Sequence, residues 1–214
     1  MPDTDLLTWP HRFTGGVLCL DFINTIDLPG TPRERDLLGD YAALLHWSVA
    51  RRQLGIPAWK RLARLADALP AQAAAAWREA IALRAEIRAI AEAAKGDESV
   101  VRFIPTLNKR LARLSLPPHM RAANDGIGLT FALSGETLEE PLWPVLWTLS
   151  AFVVSEDVHK LGACQASDCN AIFVDHTNNR SRIWCSSEGC GNRERVRRAY
   201  RARRAERTGK NLGR

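Results

Sequence analysis

The sequence lacks the features that would assign it to a membrane or a secreted class. No stretch approaches the roughly 18 consecutive apolar residues of a membrane span. Residues 1–16 contain neither the basic region nor the apolar region of a secretory signal. We therefore expect a cytoplasmic protein with no membrane partner, in a compartment where thiols stay reduced and structural disulfides are rare.

The motifs of common enzyme classes are also missing. The five histidines are scattered, and neither a nucleophile–base spacing nor a glycine-rich phosphate loop occurs. We therefore predict that the protein is not an enzyme. A catalytic site using Asp21 or a histidine is the weakest of the alternatives.

What is present is an ordinary globular composition with an uneven charge distribution. Of the 214 residues, 46% are hydrophobic and 25% charged, which suits a soluble chain with a substantial core. Residues 176–214 hold twelve Lys and Arg against three Glu, a charge of +9, so the rest of the chain carries −3. This asymmetry indicates a basic segment acting on an anionic partner, usually nucleic acid, although a solvated tail is the simpler alternative.

Four of the five cysteines form two equally spaced pairs. Each pair encloses four residues, and fifteen residues separate the pairs: Cys164, Cys169, Cys185 and Cys190. This pattern is typical of a structural zinc site, whereas redox chemistry favours a single C-x2-C motif. Four thiolates leave no open position for catalytic water, so we predict a closed, structural Zn²⁺ site. His159 and His176 could replace a cysteine, but their spacing does not require it.

Upstream of the cysteines, the hydrophobic periodicity predicts five helices, at residues 40–54, 57–69, 71–95, 104–114 and 140–161. The sequence of residues 120–133 predicts a β-hairpin with Asn124, Asp125 and Gly126 in its turn. The segment GGVLCLDFINT, residues 15–25, fits either an alternating strand or a buried helix. Within it, Asp21 and Asn24 are candidates for helix-cap or turn roles, with a ligand site as the alternative.

The zinc module is predicted to contain a knuckle, a hairpin and a helix. Residues 171–175 and 181–184 can pair as strands, and a helix begins near Asn192. This order is treble-clef-like or ribbon-like. The predicted fold class is therefore mainly α with small β-hairpins, that is, a multi-helical N-terminal domain over residues 1–161 followed by a zinc module over residues 162–214.

The last helix presents a row of cations. Arg193, Arg197, Arg201 and Arg204 fall within an arc of about 80°, beside Tyr200. Val196 and Ala199 lie on another side and could pack on the zinc hairpin. Such a row suits a phosphate backbone, while arginines near the cysteines could instead donate to metal-bound thiolates. The candidate nucleic-acid contacts are Arg180, Arg182, Arg193, Arg197, Arg198, Arg201 and Arg204.

The C-terminal residues resemble a known family, the CGNR zinc finger. The likeness includes the string Cys190-Gly191-Asn192-Arg193, all four cysteines, and matches at Phe173, Asp175, Arg182, Trp184 and Ser186. The segment GGVLCLDFINT resembles the opening of the ABATE domain that usually precedes this finger. The resemblance implies a stress-induced transcription regulator whose finger binds DNA. Arg195 and Thr177 stand where relatives often have Lys and Ser, which preserves the charge and the hydroxyl.

Two functional hypotheses follow. In the first, the zinc module docks the arginine helix on DNA, while the N-terminal domain senses a ligand or forms a homodimer. In the second, zinc only stabilises a small C-terminal module, and the basic helix binds RNA or an acidic protein.

Overall fold

A computed structural model describes residues 7–96, 98–115, 118–123 and 126–211, and the side chains of residues 121–130 and 205–211 lie outside the description. Its helices are α1 (Leu18–Ile23), α2 (Tyr41–Ala50), α3 (Ile56–Ala68), α4 (Pro70–Lys95), α5 (Ile104–Leu111), α6 (Trp143–Val153) and α7 (Asn192–Asn211). Short 3-10 turns lie at Val100–Phe103, Glu140–Leu142 and Glu156–Lys160, and a π-turn lies at Ser187–Gly191. None of the described helices is both long enough and apolar enough to cross a membrane.

The strands form three antiparallel pairs within the described residues. They are β1 (Ile26–Asp27) with β2 (Arg35–Asp36), β3 (His119–Ala123) with β4 (Gly126–Thr130), and β5 (Leu161–Ala163) with β6 (Ile172–Val174). The predicted fold class is confirmed, and the hairpin expected over residues 120–133 is β3–β4. Asn124 and Asp125 of its predicted turn lie outside the described residues.

The ambiguous N-terminal segment is a helix. All six residues of α1 are buried, and α1 packs against α4 and α6 at the centre of the molecule. Phe22 meets Trp47 of α2 edge-on, with 5.1 Å between ring centroids. Burial raises the pKa of the Cys19 thiol to about 12, so this fifth cysteine is a neutral core residue.

Several helix boundaries were predicted wrongly. The helix expected over residues 104–114, α5, ends at Leu111. Helix α2 begins after its cap, Asp40, but ends at Ala50 rather than Leu54, because Arg52 adopts a left-handed φ of 58°. Gly55 follows Leu54 directly as the N-cap residue of α3. The helix expected over residues 140–161 is interrupted, since only residues 143–153 are α-helical and 3-10 turns lie on either side. Side-chain hydroxyl bonds such as Ser155 Oγ to the Phe152 carbonyl compete with continuation of the helix.

The predicted strand pairing of the zinc module was also wrong. β6 pairs with β5, which precedes the first cysteine, and residues 181–184 form no strand. The 181–184 segment contributes one backbone bond instead, from the Gln165 amide to the Ile183 carbonyl. The sheet links the module to the helical core, because Ile172 and Val174 are buried in the main apolar cluster.

Candidate metal centre and basic helix

The four predicted ligands converge. The sulfurs of Cys164, Cys169, Cys185 and Cys190 all lie within 4.8 Å of one another. The Cys185 sulfur is 3.4 Å from that of Cys190 and 3.8 Å from that of Cys169. Four sulfurs about 2.3 Å from a tetrahedral Zn²⁺ would be about 3.8 Å apart, so the donor set fits a structural zinc ion. Neither His159 nor His176 belongs to this cluster among the described residues.

Two tight loops bring the sulfurs together. In the first, the Cys164 amide donates to the Ala171 carbonyl over 2.9 Å, which closes the loop at the end of the β5–β6 pair. In the second, the Ser186 hydroxyl accepts from the Gly189 amide over 3.0 Å and caps the π-turn that contains Cys190. Gly191 packs closely on Trp184, since a Cβ there would lie 3.0 Å from the Trp184 ring and would push it outward by a few tenths of an ångström.

The first residues of α7 are held by the first cysteine loop. Arg193 donates to the Cys190 sulfur over 3.1 Å and to Asp168 over 3.2 Å. Arg197 donates to Asp168, Glu194 and Ser167. Hydrogen bonding from Arg197, with the charges of both arginines, lowers the pKa of Asp168 and keeps this buried carboxylate ionised. The Asp168 carboxylate therefore fixes the direction in which α7 leaves the metal centre.

Arg182 is also directed inward. Its guanidinium lies over the Phe173 ring, 4.1 Å from the centroid. It donates to four backbone carbonyls, those of Thr14, Val174, Trp184 and Cys185. These contacts join the N-terminal segment, β6 and the second cysteine loop. They give Arg182 a stabilising role within the molecule.

Beyond Arg197, the described part of α7 is exposed. Within the described residues, Arg198, Arg201 and Arg203 form no hydrogen bond or ion pair. Val196 and Tyr200 are 61% and 66% exposed. The expectation that Val196 and Ala199 pack on the zinc hairpin was therefore wrong. For the part of α7 whose side chains are described, packing against the rest of the molecule is confined to the start of the helix.

Two other predicted residues lie on the surface of the module. Arg204 is exposed on α7. Arg180 is exposed as well, and its guanidinium donates to the His159 carbonyl over 3.3 Å. Sequence reasoning missed Arg203 as an exposed cation and Asp168 as the partner of Arg193 and Arg197. The position of Asp168 directly before Cys169 was the available signal for the second.

The two polar residues of the N-terminal segment have partners within the protein. The buried Asp21 carboxylate accepts from the Gly15 amide and from Arg51 Nε, each over 2.8 Å. The Asn24 side chain pairs with both backbone groups of Ile172, donating over 2.8 Å and accepting over 3.0 Å. Asp21 thus supports the start of α1, and Asn24 joins α1 to β6.

Together these features define a zinc-stapled module that carries a projecting basic helix beside a helical domain. Comparison with family models agrees: residues 160–204 match the CGNR zinc finger, and residues 16–156 match the ABATE family, described as "Putative stress-induced transcription regulator". The chain belongs to the ABATE family and carries a CGNR zinc finger. Neither description names an enzymatic activity. A search of curated proteins found no match.

Proposed function

We propose that this protein is a transcription regulator that binds duplex DNA through the exposed part of α7. The observation that carries the proposal is a helix anchored at the zinc site on which Arg198, Arg201 and Arg203 have no partner among the described residues. Guanidinium groups held on a rigid, exposed helix attract phosphates without the cost of breaking internal ion pairs.

The contacts should come from the distal arginines rather than from the whole predicted row. Arg193 and Arg197 share the carboxylate of Asp168, and Arg197 also pairs with Glu194, so two carboxylates offset the two positive charges. Among the described residues Arg198, Arg201 and Arg203 have no such partner, and we assign the phosphate contacts to these three. Arg204 is exposed next to them on α7. Arg182 is left out because its donors already bind carbonyls.

The distribution of these cations favours a groove over a flat acidic surface. At about 100° per residue, Arg198 and Arg203 lie roughly 140° apart around the helix. A helix in the major groove meets a phosphate backbone on both sides, and the groove is about 12 Å wide. Arginines on both flanks of α7 suit that geometry. Such phosphate contacts position the helix without reading bases.

The test is the salt dependence of binding to a mixed-sequence DNA duplex. Three arginines that each neutralise one phosphate contribute about −2.7 to the slope of log K against log salt concentration. The triple variant Arg198→Ala, Arg201→Ala, Arg203→Ala should therefore have a slope flatter by about 2 to 3. An unchanged slope would refute the assignment.

A matched control removes the same charge from another surface. Arg33, Arg64 and Arg78 are exposed in the helical domain, and their triple alanine variant should leave the slope within about 0.5 of the wild-type value. A control that flattens the slope equally would show that binding depends on overall charge rather than on α7. Tighter binding to RNA, or to an acidic protein after nuclease treatment, would favour the second hypothesis over DNA.

A further inference from the structure

A cavity of about 440 Å³ lies away from the zinc site, where the start of α1, the end of α2 and α6 meet. Aromatic side chains of Phe131, Trp147 and Phe152 form much of its wall, with Val17 and Leu18. Phe131 and Trp147 meet edge-on, 6.3 Å between centroids. The polar side chains in this mainly apolar wall are those of Arg51, Gln53, Thr148, Ser155 and Asp157. A volume of this size with a mainly apolar lining is typical of small-molecule sites.

One polar group at the cavity is incompletely used. Arg51 lines the cavity, and its Nε donates to Asp21. Its two terminal nitrogens form no hydrogen bond with the described residues, and the Phe13 ring lies 5.2 Å from the guanidinium carbon. A guanidinium with one edge fixed and the other unused is suited to receive a carboxylate through paired hydrogen bonds.

The acidic groups nearby do not oppose such a ligand. Asp21 binds the opposite edge of the Arg51 guanidinium and is 4% exposed. Asp157, at the rim of the cavity, is compensated by Lys160, whose ammonium donates to it over 2.8 Å. Arg51 is the one cation among the described residues that line the cavity, beside the uncharged Gln53, Thr148 and Ser155, so its unused nitrogens are the group that attracts an entering carboxylate.

A continuous set of hydrogen bonds joins this cavity to the zinc module. The Asp21 carboxylate that binds Arg51 also accepts from the Gly15 amide over 2.8 Å. The Gly15 carbonyl accepts from the Val174 amide of β6 over 2.9 Å. The adjoining Gly16 lines the cavity and packs beside Val174, since a Cβ on Gly16 would be in van der Waals contact with the Val174 Cβ at 3.4 Å.

We propose that this cavity binds a small aromatic carboxylate and that its occupancy stabilises the attachment of the zinc module. The carboxylate pairs with the terminal nitrogens of Arg51, and the ring packs against Trp147 and Phe152. Bound ligand fixes Arg51 and therefore Asp21 and Gly15, which favours the bond to Val174. The binding site does not depend on the proposed function, whereas a regulatory effect of the ligand on DNA binding rests on that function.

Binding is tested by calorimetry on the zinc-loaded full chain with 2-naphthoate and its uncharged analogue 2-naphthamide. The carboxylate should bind at least tenfold more tightly than the amide. Equal affinities would overturn the assignment of Arg51, and no binding of either compound would overturn the site. Arg51→Lys keeps the charge beside Asp21 but removes the paired donors, so it should reduce the preference for the carboxylate to less than threefold.

A second variant tests the location without touching the ion pair. Ala151 lines the cavity, and Ala151→Trp should fill it and weaken 2-naphthoate binding at least tenfold. Ala89 is an exposed alanine of α4 away from the cavity, so Ala89→Trp should leave the affinity within twofold. Similar affinities for the two variants would place the compound elsewhere.

The coupling is tested by the rate at which a chromogenic chelator removes zinc. Saturating 2-naphthoate should slow this transfer at least threefold in the wild type and not in Ala151→Trp. An unchanged rate despite measured binding would overturn the coupling. Because neither assay contains nucleic acid, failure here is distinguishable from failure of the DNA-binding proposal.

Discussion

Replacing Arg182 with lysine separates a stabilising role from a phosphate-binding role. The variant keeps the positive charge but loses the planar group that reaches four carbonyls and covers the Phe173 ring. Two of the four bonds are long, 3.3 and 3.4 Å, so we count about two full bonds at roughly 1 kcal/mol each and about 1 kcal/mol for the ring contact. Arg182→Lys should therefore lower the free energy of unfolding by about 2–3 kcal/mol.

Urea unfolding followed by tryptophan fluorescence measures this loss, and the salt slope of DNA binding is measured on the same variant. The slope should stay unchanged, because the charge is retained and Arg182 faces the interior. Arg180→Lys is the matched control two residues away, where a single bond of 3.3 Å limits the expected loss to about 0.5 kcal/mol. A fully stable Arg182→Lys protein with weakened DNA binding would refute the reasoning.

Three further predictions concern the fold. Asn24→Ala leaves both backbone groups of Ile172 without their partner and should lower the free energy of unfolding in urea by about 1–3 kcal/mol. A loss of less than about 0.5 kcal/mol would contradict a stabilising role for these two hydrogen bonds. Glu140→Gln should cost about 2 kcal/mol, since the buried carboxylate accepts from four donors in the preceding loop, and a neutral result would contradict that account. Burial opposes ionisation of Asp36, but hydrogen bonds from Arg84 outweigh it and lower the pKa of Asp36. Since the folded pKa lies below the unfolded value of about 3.9, this pair stabilises the fold above that pH and loses its effect as the pH falls through the folded pKa. Stability measured from pH 6 to pH 2 should therefore fall less in Asp36→Asn than in the wild type, and equal falls would contradict the pairing.

The metal centre was predictable because its four ligands lie in two short segments of the sequence. Two short cysteine loops at a fixed interval constrain four sulfurs almost independently of the surrounding fold, and the sulfurs of Cys164, Cys169, Cys185 and Cys190 do converge. The long helix α4 was also predictable from the sequence. Its apolar residues recur with helical spacing up to Gly96, which indicates both the helix and its end.

The errors arise where a choice depends on distant partners. Strand propensity correctly selected Ile172–Val174, but it could not show that β5, with its weak Leu-Gly-Ala sequence, would pair with it. The charge pattern identified a basic helix, but not that Asp168, twenty-five residues earlier, would engage Arg193. Charge is read from sequence, whereas compensation of charge is a property of the folded chain.

In the function we propose, one zinc ion held by four cysteines orients the basic helix toward DNA. The most direct measurement is duplex binding by the full chain together with metal analysis, before and after chelation. We expect one zinc per chain, and loss of DNA binding on its removal while the helical signal of α1–α6 persists, because the metal supplies much of the folding energy of so small a module. Undiminished DNA binding by the zinc-free protein would contradict the account.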